Sequence, residues 1–357
     1  MNEYINCGQA FEPSEITVAD YLNQWFDLSC KMNLKYNTQI GYLRIIENHL
    51  KPQFGHYKLK AVSAASLQAY ANELKLHGNS KSHLVGILTV FQSALDYAVE
   101  PLHYLTFNPL KQVKFPKVKR APKERIILKL DEWNRIIQRF PTGSKFYVPL
   151  MIGFHTGLRI SEAFALTWND VNLEKKEITV SKQVVKRDCC ADPRAVVEKN
   201  KKQKQPMAWY FATPKTTSSY RTISIGNTLY NALKAEKTLQ LENELKYGEY
   251  YTLHYTKTEI DEKGNPITRI IPMEKGLRCQ LPKIKMVCVA ENGTYVSTES
   301  FKYASRVIHK ELLLAFNYHS LRHTHATMLI EAGANPKNVQ ARLGALQYCH
   351  YATDVCT

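Results

Sequence analysis

The sequence predicts a mainly α-helical chain with a small β-sheet, an α+β architecture divided into two domains. Three observations predict it. Apolar residues recur at helical spacing through residues 16–110, short alternating stretches with Gly and Asn turn signals fall in the second half, and a basic, proline-broken run separates the two. A length of 357 residues also exceeds one typical core and suits two domains.

Residues 1–15 read as an amino-terminal tail. The stretches ITVADYLNQWFDLSCKMNL, YNTQIGYLRIIENHLKPQFG, VSAASLQAYANELKLHG and SKSHLVGILTVFQSALDYAVEPL then predict helices across a domain spanning 16–110. Lys111, Lys114, Lys117, Lys119, Arg120, Lys123 and Arg125 crowd the next segment together with Pro116 and Pro122. Proline blocks helix and like charges repel, so 111–127 reads as an extended basic linker, either tracking a DNA backbone or serving as a soluble tether. A second domain runs from Leu128, where LKLDEWNRIIQRF predicts a helix, to Gly344. It carries two insertions. DCCADPRAVVEKNKKQKQP is a polar basic loop whose NKKQK either meets DNA or is unstructured, and the stretch from 247 to 298 (EYYTLHYTKTEI, DEKGNPITRIIP, MVCVAENGTYVS) predicts β-hairpins.

Lys and Arg number 48 against 32 Asp and Glu, a net charge of +16 that attracts polyphosphate and points to a nucleic-acid partner. The eight cysteines show no spacing that makes a zinc site, and no apolar stretch has signal-peptide or membrane length. A reduced cytoplasm is the expected compartment, with adjacent Cys189 and Cys190 as ordinary loop thiols.

His319 and Arg322, in NYHSLRHTHATMLIEAGANPKNVQARLG, stand three apart and so share a helix face, where imidazole and guanidinium could point at one anion. A phosphate fits that pair: the guanidinium fork matches its oxygens, and histidine donates a hydrogen bond or moves a proton near neutral pH. A second motif, TGLRISEA, holds Arg159 and Glu162. A third, PKTTSSYRTISI, holds Lys215 and Arg221; it follows the aromatic AWYFA and alternates like the second arm of a β-hairpin.

TGLRISE with HSLRHTHAT resembles the tyrosine recombinase, or phage integrase, family, and PKTTSSYRTI is similar to that family's PKTxxSxRTI hairpin. The resemblance implies that Arg159, His319 and Arg322 grip a scissile phosphate, that Glu162 orients an arginine, and that Lys215 protonates the leaving 5′ hydroxyl. Arg221 would support the hairpin or touch backbone phosphate. It further implies a helical core-binding, SAM-like domain over 16–110, with Tyr42, Arg44 and the NSKSH stretch Asn79–His83 as backbone contacts, closing with the catalytic domain as a C-shaped clamp on double-stranded DNA. The implied chemistry uses no metal and no nucleotide cofactor, and an intact protein would assemble as a homotetramer on its attachment sites. The two insertions resemble those of conjugative-transposon integrases. Such relatives often carry a further amino-terminal domain for arm-type sites, which this chain is expected to lack because it begins too late. A type IB topoisomerase shares the chemistry but fits the helical amino-terminal domain less well.

After Gly344 the family pattern LGHSxIxTTLxxYxH gives way here to ALQYCHYATDVCT, residues 345–357. One permitted codon choice for that stretch, shifted by one base, reads HSNIATTLQTYV, which restores the histidine, the TTL helix start and the tyrosine together. The expectation is therefore a frameshifted tail, from a pseudogene or a sequencing error, and a chain without its nucleophile. Tyr348, Tyr351 and Cys356 lack the surrounding pattern that would make any of them a replacement. The alternative function is a catalytically dead DNA-binding remnant.

Overall fold

The computed structural model describes residues 16–115, 125–188, 193–194, 197, 207–214, 217–261 and 263–344. The amino-terminal tail, most of the linker, Cys189, Cys190, the NKKQK run, Lys215 and the tail after Gly344 lie outside the described residues. The chain divides into two compact units, one drawn from residues 1–122 and 188–206, the other from 123–187 and 207–357.

The first unit is helical. Val18–Trp25 (α1) starts at Thr17, whose side chain accepts the Asp20 N–H, and continues through a π-turn, Phe26–Cys30, into Lys31–Asn33. Tyr36–Ile45 (α2) continues likewise through Ile46–Leu50 into Lys51–Phe54, where Pro52, which cannot donate to the preceding turn, follows directly on the wider one. Ser63 and Ser80 cap Ala64–Leu76 (α3) and Lys81–Val99 (α4). The predicted helices therefore form, but the first two are broken by wider π-turns that a 3.6-residue periodicity does not reveal. Their apolar faces meet in one core around Leu22, Phe26, Leu50, Phe54, Leu88 and Phe91, each at most 1% exposed. Burial of each such side chain stabilises by about 2 kcal/mol. The packing runs past residue 110: Val113 is buried, Pro109–Gln112 forms a 3-10 turn, and Lys111 lies 3.1 Å from Asp96.

Residues of the first insertion also belong to this unit. Arg194 donates to the Asn23 carbonyl at 2.8 Å, pairs with Asp27 at 2.9 Å and lies over the Phe26 ring, while Val197 packs against the core. Its described residues are thus held by a cation on an aromatic ring and an aspartate, rather than lying loose.

In the second unit, Leu130–Arg139 (α5) leads to Tyr147–Thr156 (α6), which is apolar nearly all round and therefore internal. Short Ile160–Ala163 (α7) follows. Val171–Asn172 (β1), Glu177–Val180 (β2) and Arg221–Ser224 (β5) form an antiparallel sheet in which buried Ile178 and Ile223 face each other. A second sheet is built from Gln183–Asp188 (β3), Met207–Ala212 (β4), Thr252–Ile260 (β6), Pro266–Glu274 (β7) and Lys283–Ile284 (β8), in the order β3-β4-β7-β6-β8. The β6–β7 ladder is the expected hairpin. The MVCVAENGTYVS stretch folds back at Gly293 with a single bridge between Val289 and Tyr295. One expectation is corrected. AWYFA lies in β4 and RTIS forms β5, but the two belong to different sheets, because β4 pairs with β7 while Ile223 of β5 finds its apolar partner on β2.

Asn227–Tyr247 (α8) and Tyr318–Glu331 (α10) pack on α6, with Phe301–Glu311 (α9) and Pro336–Leu343 (α11) completing the unit. Gly153 permits the α6–α10 approach: a Cβ there would stand 2.6 Å from Leu321.

Candidate active site

Two left-handed glycines frame the site. Gly157, at φ +64°, ends α6, and a side chain there would meet Leu343 and His325; Gly344, at φ +62°, ends α11, and a side chain there would meet the Ser218 carbonyl and Arg221. Arg159 follows Gly157 in extended backbone and enters α7 with Glu162 three residues on.

Glu162 is 2% exposed and holds three donors. Its oxygens accept from Arg159 Nη1 at 2.7 Å, the Arg159 backbone N–H at 3.1 Å and Arg221 Nη2 at 3.0 Å. Burial pushes the carboxyl pKa up, but the charges and hydrogen bonds of Arg221 and Arg159 outweigh it and leave the group below its ordinary range. Arg159 also donates to the Ser219 hydroxyl at 3.3 Å and keeps about a third of its side chain open to solvent.

Asn317 caps α10 by accepting the Ser320 N–H, which fixes where His319 and Arg322 stand. Arg322, 2% exposed, donates to the Gly157 carbonyl at 2.9 Å and the Leu343 carbonyl at 2.8 Å. His319 is exposed on the same face and packs edge-on against His323, with ring centres 4.6 Å apart. Desolvation first, then the charges of Arg322 and Arg159, hold the His319 pKa below its ordinary value. The imidazole is therefore neutral near pH 7 and feels both arginines as neighbours. An arriving anion offsets both charges and makes imidazolium cheaper, which is the electrostatics a phosphate site needs.

The end of α11 completes the site. Its carbonyls at Arg342, Leu343 and Gly344 accept, in turn, from Arg221 Nε at 2.6 Å, Arg322 Nη2 at 2.8 Å and Arg159 Nη2 at 3.0 Å. Cations at a helix carboxyl end are favoured by its unpaired carbonyls. Arg342 in turn donates to His325 Nε2 at 3.1 Å, and burial followed by the Arg342 charge lowers the His325 pKa to about 4, keeping the ring a neutral acceptor.

The fold thus brings Arg159, Glu162, His319 and Arg322 together, while Lys215 lies outside the described residues. Ser219, four residues beyond Lys215, is fully buried against Arg159. Ser219, His325 and Arg342 had no signal in the sequence beyond their place in the motifs. Asn79 and Ser80 are engaged locally: Asn79 donates to the Leu74 carbonyl and Ser80 caps α4. Tyr42 stacks on Trp25, and Arg44 is exposed. Among the described residues no cluster of three or more His, Cys, Asp or Glu could hold a metal, and no helix is long and apolar enough to cross a membrane.

The Phage integrase family profile matches residues 127–345, and that of the Phage integrase N-terminal SAM-like domain matches residues 17–75. A tyrosine recombinase XerC-like protein of Caldanaerobacter subterraneus subsp. tengcongensis is 26% identical over 353 residues, covering 96% of this chain and 80% of that one. The ICEBs1 integrase of Bacillus subtilis is 25% identical, covering 88% and 72%. Among solved structures, the Tn1549 transposon integrase in complex with a circular intermediate DNA superposes with a TM-score of 0.65 at 20% identity, covering 94% of this chain and 93% of that one. With the family profile spanning more than half its length, the chain belongs to the phage integrase family of tyrosine recombinases.

Proposed function

We propose that this fold serves site-specific recombination of a mobile element, breaking and rejoining DNA strands through a 3′-phosphotyrosine. The observation that carries the proposal is that Arg159, held by the buried carboxylate of Glu162, and Arg322 stand near enough to His319 for both their charges to act on its imidazole. In the reaction a tyrosine oxygen attacks phosphorus, the bond to the 5′ oxygen breaks, and the freed 5′ hydroxyl of a partner strand reverses the step. Arg159 and Arg322 stabilise the charge developing on the phosphoryl oxygens, His319 donates to it or relays a proton, and Lys215 protonates the departing oxygen. Glu162 holds Arg159 in place. Double-stranded DNA is the substrate, the helical unit supplies backbone contacts, and the assembly on DNA is a homotetramer when the tail is intact.

The residues from 345 to 357 do not carry the family's histidine and tyrosine pattern, so the chain as written binds duplex DNA without cutting it. Electrophoretic shift and detergent-resistant adduct assays on attachment-site duplexes test both parts. The expected result is salt-sensitive binding, weakened by Arg159→Ala, and no covalent adduct. An adduct on Tyr348, Tyr351 or Cys356 overturns the loss of the nucleophile; binding indifferent to salt and to Arg159→Ala overturns the phosphate site itself.

A further inference from the structure

Arg221 sits at the first position of β5 with its side chain 7% exposed, and each nitrogen of its guanidinium has a different acceptor. Nε donates to the Arg342 carbonyl, Nη1 to the Ser219 carbonyl at 2.9 Å, and Nη2 to Glu162 at 3.0 Å. Those acceptors lie on three separate pieces of the site: the end of α11, the turn that follows PKT, and the carboxylate that holds Arg159. Of these acceptors Glu162 also holds Arg159, and the Leu343 and Gly344 carbonyls next to that of Arg342 hold Arg322 and Arg159. Gly344 leaves room for the guanidinium, since a Cβ there would stand 3.0 Å from Arg221 Nη1. With its side chain 7% exposed and three of its five N–H donors engaged inside the protein, Arg221 is poorly placed to touch DNA itself.

We infer that Arg221 is a positioning residue: through Glu162 it fixes the guanidinium of Arg159 toward the phosphate, and through the Arg342 carbonyl it fixes the place where the chain leaves α11. This rests on the phosphate-binding reading of Arg159. A planar fork with donors in three directions is required for the role, so lysine, a point charge on a flexible stem, does not replace it. Removing Arg221 leaves Glu162 bonded to Arg159 alone, so the guanidinium swings with the carboxylate, and the end of α11 loses one of its three anchors.

A double-mutant cycle on the binding of a short duplex, read as affinity and as its dependence on salt, tests this on the chain as it stands. Arg159→Ala is expected to weaken binding about tenfold and to lower the salt slope by about one phosphate contact. Arg221→Ala is expected to do nearly the same, Arg221→Lys is expected to recover little, and the double variant is expected to lie within about twofold of either single one. Amide exchange at 340–344 is expected to quicken more in Arg221→Ala, which removes the donor to the Arg342 carbonyl, than in Arg159→Ala, which removes the donor to the Gly344 carbonyl beyond the helix. Glu162→Gln keeps the side-chain volume and gives a second route that does not depend on the folding of Arg221→Ala: alone it is expected to weaken binding to the same extent as Arg159→Ala within about twofold, and unchanged affinity in it overturns the inference. Losses that multiply in the Arg159/Arg221 double variant, with a further drop in salt slope, mean a direct phosphate contact and overturn the inference while leaving the phosphate site standing. Unchanged affinity in Arg221→Ala overturns it too. Unchanged affinity in Arg159→Ala takes down both readings together.

Discussion

The helical unit and the active site are held together by opposite means. In the helical unit the interior is apolar, with Phe54, Phe91 and Leu50 in contact and buried polar side chains as rare as Gln39 and Asn108. Around Gly157 and Gly344 the interior is charged: Arg322, Arg221 and Glu162 are nearly sealed from solvent and spend their hydrogen bonds on backbone carbonyls and on each other. Apolar packing tolerates exchange of one hydrocarbon for another, whereas a buried charge that loses its partner has no substitute nearby. The site keeps its cations in place with carbonyls and one shared carboxylate, which orient the guanidiniums without neutralising them all, as the proposed meeting with an anion requires.

The largest effect separates the two regions directly. Glu162→Ala strands two guanidiniums and is expected to cost about 3–5 kcal/mol in urea unfolding and to abolish the contribution of Arg159 to DNA binding. Phe91→Ala in the helical unit is expected to cost a similar amount, about 3–5 kcal/mol, through a cavity. If the contrast is sound, Phe91→Ala leaves the Arg159 contribution intact in whatever protein remains folded; equal loss of that contribution in both variants would erase the distinction.

A middle-sized effect tests whether a buried charge outside the site behaves the same way. Glu236 on α8 is buried, with Gln240 as its hydrogen-bond donor among the described residues, and desolvation raises its pKa to about 7 against that favourable contact. Its folded value lies above its unfolded one, so its favourable contribution is complete below about 4.5 and is lost as pH rises through about 7. Glu236→Gln is accordingly expected to leave Tm little changed near pH 4.5 and to raise it above pH 7, by at most about 3 kcal/mol of stability. A Tm difference independent of pH would show that Glu236 is not the uncompensated carboxylate its surroundings indicate.

The smallest effect concerns the backbone. Gly344→Ala places a Cβ in left-handed conformation and against the Ser218 carbonyl, 2.8 Å away, and is expected to cost about 1–3 kcal/mol. Gly78→Ala, also left-handed but with open space around the new Cβ, is the matched control in the helical unit, with a cost of about 1–2 kcal/mol. Equal losses at the two positions would mean that the close approach to Arg221 and Ser218 adds no strain.

These same contrasts explain what was legible in the sequence. The helices of the first unit were readable because burial there follows side-chain type at helical spacing, as Leu84, Leu88, Phe91 and Leu95 show along α4. That His319 and Arg322 stand on one helix was readable from the HSLRHTHAT motif, but not that Arg322 donates to the Gly157 and Leu343 carbonyls while His319 packs on His323. Glu162 as a partner of Arg159 followed from the motif, and the geometry places it there. What escaped were contacts whose acceptor is a backbone carbonyl, as for Arg221 on Arg342, because no residue type announces a carbonyl. The π-turns escaped because they shift the helical phase without changing composition, and the separation of AWYFA from RTIS escaped because alternation marks a strand but not its neighbour.

The grip on the last turn of α11 has one further consequence. Guanidiniums that hold main-chain oxygens ask nothing of the side chains at 342 and 343, and at 344 they ask only that there be none. Selection for this clasp therefore falls on the hand and not on what it holds. A survey of tolerated substitutions would find Arg159, Arg221, Arg322 and Gly344 intolerant on its account, with the demands at 342 and 343 set separately by the His325 contact and the small apolar cluster around Leu343.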